Sequence, residues 1–149
     1  MAAWRQQAVI DAPAYSVWSL VGDPSRYPEW AADVVEVTGL AEVAERQTFE
    51  HTQRMPLFGD DTTTFEIEKL EDMREIRLRC RTSGYYSHWI LTPAQDSTFL
   101  EVEIGVEPLA PQFRLYFGAL GKRYFRRVTE ESIDGVRRAT AGDAAPDLR

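Results

Sequence analysis

A chain of 149 residues, 44% hydrophobic and 28% charged, is sized for one domain around one core. Its formal net charge of −7 gives it no counterions to release from DNA and no attraction to anionic membranes, so nucleic acid and acidic lipid surfaces are set aside as partners. One cysteine, Cys80, forbids an intramolecular disulfide; two histidines with no C-x-x-C or H-x-x-x-H pair provide no transition-metal set, and neither a metal nor another cofactor is expected.

Residues 4–10 (WRQQAVI) alternate and predict a strand with Trp4, Gln6, Ala8 and Ile10 on one face. In the following DAP, Asp11 suits a helix cap and Pro13 a first turn. AYSVWSLV is then a helix with Val17, Leu20 and Val21 on one stripe, stopped by Gly22. PSRYPEWAA predicts a second, short helix opening at Pro24. From residue 34 the apolar period becomes two, and six more strands follow at 34–39, 47–53, 63–70, 74–82, 85–92 and 98–107. Turns are placed at 70–73, 83–84 and 93–97. A two-residue Ser83–Gly84 turn would pair Cys80 with Ser87 and Leu78 with Trp89. Ile76, Leu78, Cys80, Tyr85, Ser87, Trp89 and Leu91 would then share the inner face. Arg77, Arg79 and Arg81 would face out with Glu66 and Glu68 as cross-strand partners, a solvated surface that includes His88.

After Pro108 and Pro111 a long helix runs to about residue 140, with Phe113, Phe117, Leu120, Tyr124 and Val128 on one face and Gly118 and Gly121 either kinking it or letting it approach the sheet closely. KRYFRR at 122–127 is a basic face, with Arg126 and Arg127 spaced to pair with Glu130 and Glu131. GALGKR at 118–123 is not a phosphate loop: its glycines are too close and Arg123 stands where Ser or Thr is required. Residues 1–141 read as one domain and 142–149 as a flexible tail. The fold class is α+β: a seven-stranded curved antiparallel sheet wrapped around the long C-terminal helix, with two short helices after the first strand. Those helices should plug one end, Trp30 at its base and Tyr27 nearer the rim. With no apolar run near 18 residues and no signal-like opening, a soluble, cytoplasmic protein is expected, as monomer or homodimer.

That element order resembles the helix-grip fold of the START-like (SRPBCC) superfamily, which includes the birch-pollen allergen. AVIDAPAYSVWSLVGDPSRYPEW is similar to the opening of its bacterial polyketide cyclase/dehydrase branch, where an apolar strand, an A-P dipeptide, a V-W helix, a D-P turn and a terminal Trp follow in that spacing. LTPAQDSTFLEVEI resembles the late hairpin of the same branch. The resemblance covers nearly the whole chain and implies a cavity between sheet and long helix that takes lipids, polyketides or other apolar ligands; it identifies a fold that hosts many functions.

On this frame Trp30, Phe49, Phe58, Phe65, Ile67, Trp89, Phe117 and Tyr124 are the candidate ligand-binding residues, and His51 and Tyr85 the candidate acid and base. Gln47, Phe49, His51 and Gln53 share a face; a register slip of one residue would turn His51 outward. Residues 54–61 carry Met55, Leu57 and Phe58, which either cover a cavity mouth or tuck into the core's edge; residues 107–113 would form the opposite lip. Asp60 and Asp61 read as solvated turn residues. Three functions stay open: a binder of a hydrophobic small molecule, a polyketide aromatase/cyclase or dehydratase, and a protein-interaction or stress/toxin-type module using the Met55–Phe58 loop.

Overall fold

The computed structural model describes residues 2–143, so residues 144–149 of the expected tail lie outside the described residues. Strands β1 (Ala2–Ile10), β2 (Val34–Thr38), β3 (Thr48–Met55), β4 (Gly59–Glu71), β5 (Glu75–Cys80), β6 (Tyr85–Ala94) and β7 (Ser97–Val106) form one antiparallel sheet in the order β1-β7-β6-β5-β4-β3-β2. Helix α1 (Ala14–Val21) and a 3-10 helix (Pro24–Glu29) connect β1 to β2, and α2 (Pro111–Thr140) closes the chain against β1 and β7. This is the expected α+β helix-grip arrangement. The alternation that predicted the strands is also their burial pattern: β5 and β7 bury every second residue, and α2 covers the face so formed.

The β5–β6 hairpin differs from expectation. Leu78 pairs with Ser87 and Ile76 with Trp89, two residues away from the predicted register. The loop holds Arg81–Gly84 rather than two residues: Gly84 takes φ 83° and donates its N–H to the Cys80 carbonyl at 3.1 Å. A two-residue shift leaves every side chain on its predicted face. Outside, Arg77 bonds Glu68 at 2.9 Å and Arg81 bonds Glu66 at 2.6 Å, as expected. Glu107, which the sequence did not offer, takes both Arg77 and Arg79 at 3.0 Å. Beneath them Tyr86 is buried on this outer face, with the Arg77 guanidinium 4.3 Å from its ring centre and its O–H donating to Glu103. Burial, then the Glu103 contact, pushes its phenol up to about 12. His88 meets Glu75 on the same side.

The plug is built differently from the sequence reading. Asp11 caps nothing; α1 starts after Pro13 with no side-chain cap, and the capping aspartate is Asp23, which accepts the Ser25 N–H at 3.0 Å. Gly22 ends α1 with φ −81°, so left-handed backbone is not why it is glycine; a Cβ there would stand 2.3 Å from the Trp18 ring. Tyr27 is not at a rim. It is buried, and its O–H donates to the Val21 carbonyl at 2.7 Å. Trp30 meets Tyr27 and Trp89 edge-on, at 4.7 and 5.1 Å between ring centres. Gly135 lets α2 close over it, since a Cβ would fall 2.0 Å from the Trp30 carbonyl oxygen. The Ala32 N–H donates to Ser132 Oγ at 3.0 Å and fixes the same contact.

Helix α2 is broken at Gly121, which takes φ 70° and ψ −175°, a conformation open in practice to glycine alone. Gly118 stays helical. Beyond the break, Tyr124, Phe125, Val128, Ile133 and Val136 are buried; before it, only Phe117 is. Arg126 and Arg127 pair with Glu130 and Glu131 as the spacing predicted, and Arg127 also reaches Asp33 at 2.8 Å.

Candidate functional site

The first half of α2, the tip of the β3–β4 hairpin and the β5–β6 loop enclose a cavity of about 360 Å³. That lies near the lower end of the roughly 300–1,000 Å³ usual for small-molecule sites. Each wall has a local cause. The proline start of α2 at Pro111 sets Gln112, Phe113, Tyr116 and Phe117 on the cavity side at spacings of one, three and four. Strands β3 and β4 extend further than the sequence suggested, to Met55 and from Gly59, and turn over 56–58 with Leu57 at φ 72°. Gln53, Met55, Asp60, Asp61, Thr63 and Phe65 therefore belong to the wall. The β5–β6 end adds Cys80, Ser83 and Tyr85.

Of the two segments considered as lips, 54–61 places Met55 and Phe58 at the cavity and 107–113 places Gln112 and Phe113 there. Phe58 stands edge-on to Tyr116 at 5.1 Å, and the Tyr116 O–H donates to the Pro56 carbonyl at 2.7 Å, tying hairpin tip to helix. Phe113 serves the opposite lip. Leu57 points away, 94% exposed, and Phe58 is 73% exposed although one side of it faces the cavity.

Behind the cup, toward the plug, lies a second space of about 30 Å³, the scale of a single water. Phe65, Gln53 and Tyr85 border both. His51, Trp30, Trp89, Ser87 and Ser132 border the inner one only. His51 points inward as predicted, buried, its ring stacked 4.0 Å from Phe65. Burial pulls its imidazole down to about 4, so the ring is neutral at pH 7. Its Nδ1, with the indole nitrogens of Trp30 and Trp89, is buried without a hydrogen-bond partner among the described residues. Burial moves the Tyr85 phenol the other way, well above its ordinary value, against a smaller opposing pull from Gln53. Tyr85 is thus held as a protonated donor.

The predicted site residues therefore divide. Phe58, Phe65, Phe117 and Tyr85 meet at the larger cavity. Trp30, Trp89 and His51 meet at the inner space. Phe49, Ile67 and Tyr124 are buried but line neither; Phe49 packs on Phe65 at 6.0 Å, and the Tyr124 O–H faces the Met55 sulfur at 3.9 Å. The aspartates read as turn residues are wall residues. Phe113 was on the predicted stripe; Tyr116 was missed, although it sits three residues beyond Phe113. Among the described residues no three His, Cys, Asp or Glu gather as a metal site.

A family model described as polyketide cyclase/dehydrase and lipid transport matches residues 1–140. The chain belongs to that family. No curated protein matches this family member in sequence. Among solved structures it is similar to a protein from Thermus thermophilus, at 16% identity over 96% of this chain and 99% of that one, with a TM-score of 0.73. It is also similar to a START superfamily protein from Mycobacterium smegmatis, at 15% identity over 97% of both chains and a TM-score of 0.67. A third likeness is to the di-domain ARO/CYC StfQ of the steffimycin biosynthetic pathway, at 17% identity over 96% of this chain and 50% of that one, with a TM-score of 0.67. These likenesses establish the fold of this polyketide cyclase/dehydrase and lipid transport family member. No helix among its described residues is long and apolar enough to cross a membrane.

Proposed function

We propose that this protein binds a hydrophobic small molecule, a polyketide, lipid or aromatic metabolite, in the cavity between its sheet and the first half of α2. The observation that carries this reading is the 360 Å³ space walled by Phe58, Phe65, Tyr85, Phe113, Tyr116 and Phe117 in a chain whose other end is sealed by Trp30. Rings in such numbers around an open volume recognise an apolar body, and Gln53, Thr63, Ser83 and Tyr85 supply a few polar contacts to orient it. The test is native mass spectrometry of the purified protein beside titration with an environment-sensitive apolar dye. A retained lipid-like mass, or saturable dye uptake at one site that weakens in Phe58→Ala, is expected. The absence of both retained mass and saturable uptake would overturn the binding reading.

A second reading, proton-transfer chemistry on a bound polyketide, is favoured by the position of Tyr85 on the border of both spaces. Its protonated phenol would donate to a ligand oxygen. His51 serves that chemistry less well: it borders only the inner space, and a base with its affinity for protons drawn down to about 4 is weak at neutral pH. Turnover of a candidate polyketide that survives Tyr85→Phe unchanged would remove Tyr85 from any such step.

A further inference from the structure

The cavity has a sign as well as a shape. Its wall contains two carboxylates, Asp60 and Asp61, and no Lys, Arg or His. The two aspartates differ. Asp60 lies opposite Arg54 in the β3–β4 ladder and pairs with it at 3.6 Å. Asp61 lies opposite Gln53, a residue buried against the cavity. Residues directly opposite in an antiparallel pair leave the sheet on the same face, so Asp61, itself exposed to solvent, stands on the cavity side at the mouth. Thr63 and Phe65 continue that row down the wall. No cation pairs with Asp61 among the described residues, while its charge is felt by the Tyr116 phenol across the opening, which is raised by burial and then by Asp61. The aromatic rings of Phe58, Phe113 and Tyr116 line the same opening.

We propose that the ligand is a cationic amphiphile, its apolar body in the cup and its protonated amine at the mouth beside Asp61. This deepens the binding reading and rests on it. A carboxylate-headed lipid of the same length would place its charge against Asp61 with no cation in the wall to answer it. An ammonium gains the carboxylate and the aromatic faces together.

Three probes of equal chain length separate the charge from the cavity: decylamine, decanoate and decanol, titrated at pH 7 and low ionic strength by calorimetry. Decanol is expected to bind, and decylamine to bind about tenfold more tightly than decanoate, a ratio that shrinks in high salt. The ratio should fall toward one in Asp61→Asn. It should hold in Asp72→Asn, which removes the same charge from an exposed turn at the far end of β4, roughly 35 Å away along the strand. Decanoate binding as tightly as decylamine overturns the charge selection while leaving the binder, and so does a ratio untouched by Asp61→Asn. Binding of none of the three overturns both.

Discussion

Replacing His51 with Phe should remove a specific part of this protein's pH dependence. His51 is buried, and its pKa falls from 6.5 to about 4 on folding. Between those values the unfolded chain binds a proton that the folded chain refuses. The stabilisation is therefore complete above pH 6.5 and lost as pH falls toward 4, at about 1.4 kcal/mol per pH unit. From pH 8 to pH 5 the loss from this one residue is about 2 kcal/mol. Phe keeps a ring stacked on Phe65 and deletes the partnerless Nδ1, so folding at pH 8 should be little changed or improved. Urea denaturation of both proteins at pH 8 and pH 5 gives the double difference, in which contributions from the carboxylates cancel. The variant should lose about 2 kcal/mol less than the wild type over that interval. Equal losses would mean that His51 is not held neutral by burial, and the reasoning would be refuted.

Gly135→Ala should destabilise by about 1–3 kcal/mol or more, because its Cβ would strike the Trp30 backbone, which has little freedom to move; an unchanged denaturation midpoint would show that α2 does not press on the plug as described. Gly121→Ala meets no atom within 4 Å, so any loss comes from the backbone alone: about 1–3 kcal/mol is expected in thermal or urea melts, and none would indicate that the helix break is dispensable.

The layout of this fold was legible because alternation and helical stripes survive small errors. Strand faces were read correctly even where the β5–β6 register was off by two, since only odd shifts exchange the faces. The same property hid the real length of that loop. Depth was not legible: Phe49 and Phe65 point the same way from neighbouring strands, yet only Phe65 reaches the cavity. Periodicity reports a face and not what stands in front of it. The ends of β3 and β4 were misread for a local reason. Asp60 and Asp61 have poor strand propensity, and the real turn puts Leu57 at a positive φ that sequence rules reserve for Gly or Asn. Gly118 and Gly121 were read as kinks or as points of close approach to the sheet; Gly121 is the break, and a Cβ at either would meet no atom within 4 Å.

The break at Gly121 divides one helix into parts with separate duties. Beyond it one face of the helix, from Tyr124 to Val136, is held in the core, where a changed side chain must answer to β1, β7 and the plug. Of the ten residues before it, Gln112, Phe113, Tyr116 and Phe117 face the cup. Substitutions at Phe113 and Tyr116, which are only partly buried, can thus change the shape of the cup with little cost to the sheet, whereas Phe117, packed on Tyr85 and Phe125, is the point at which the two parts meet.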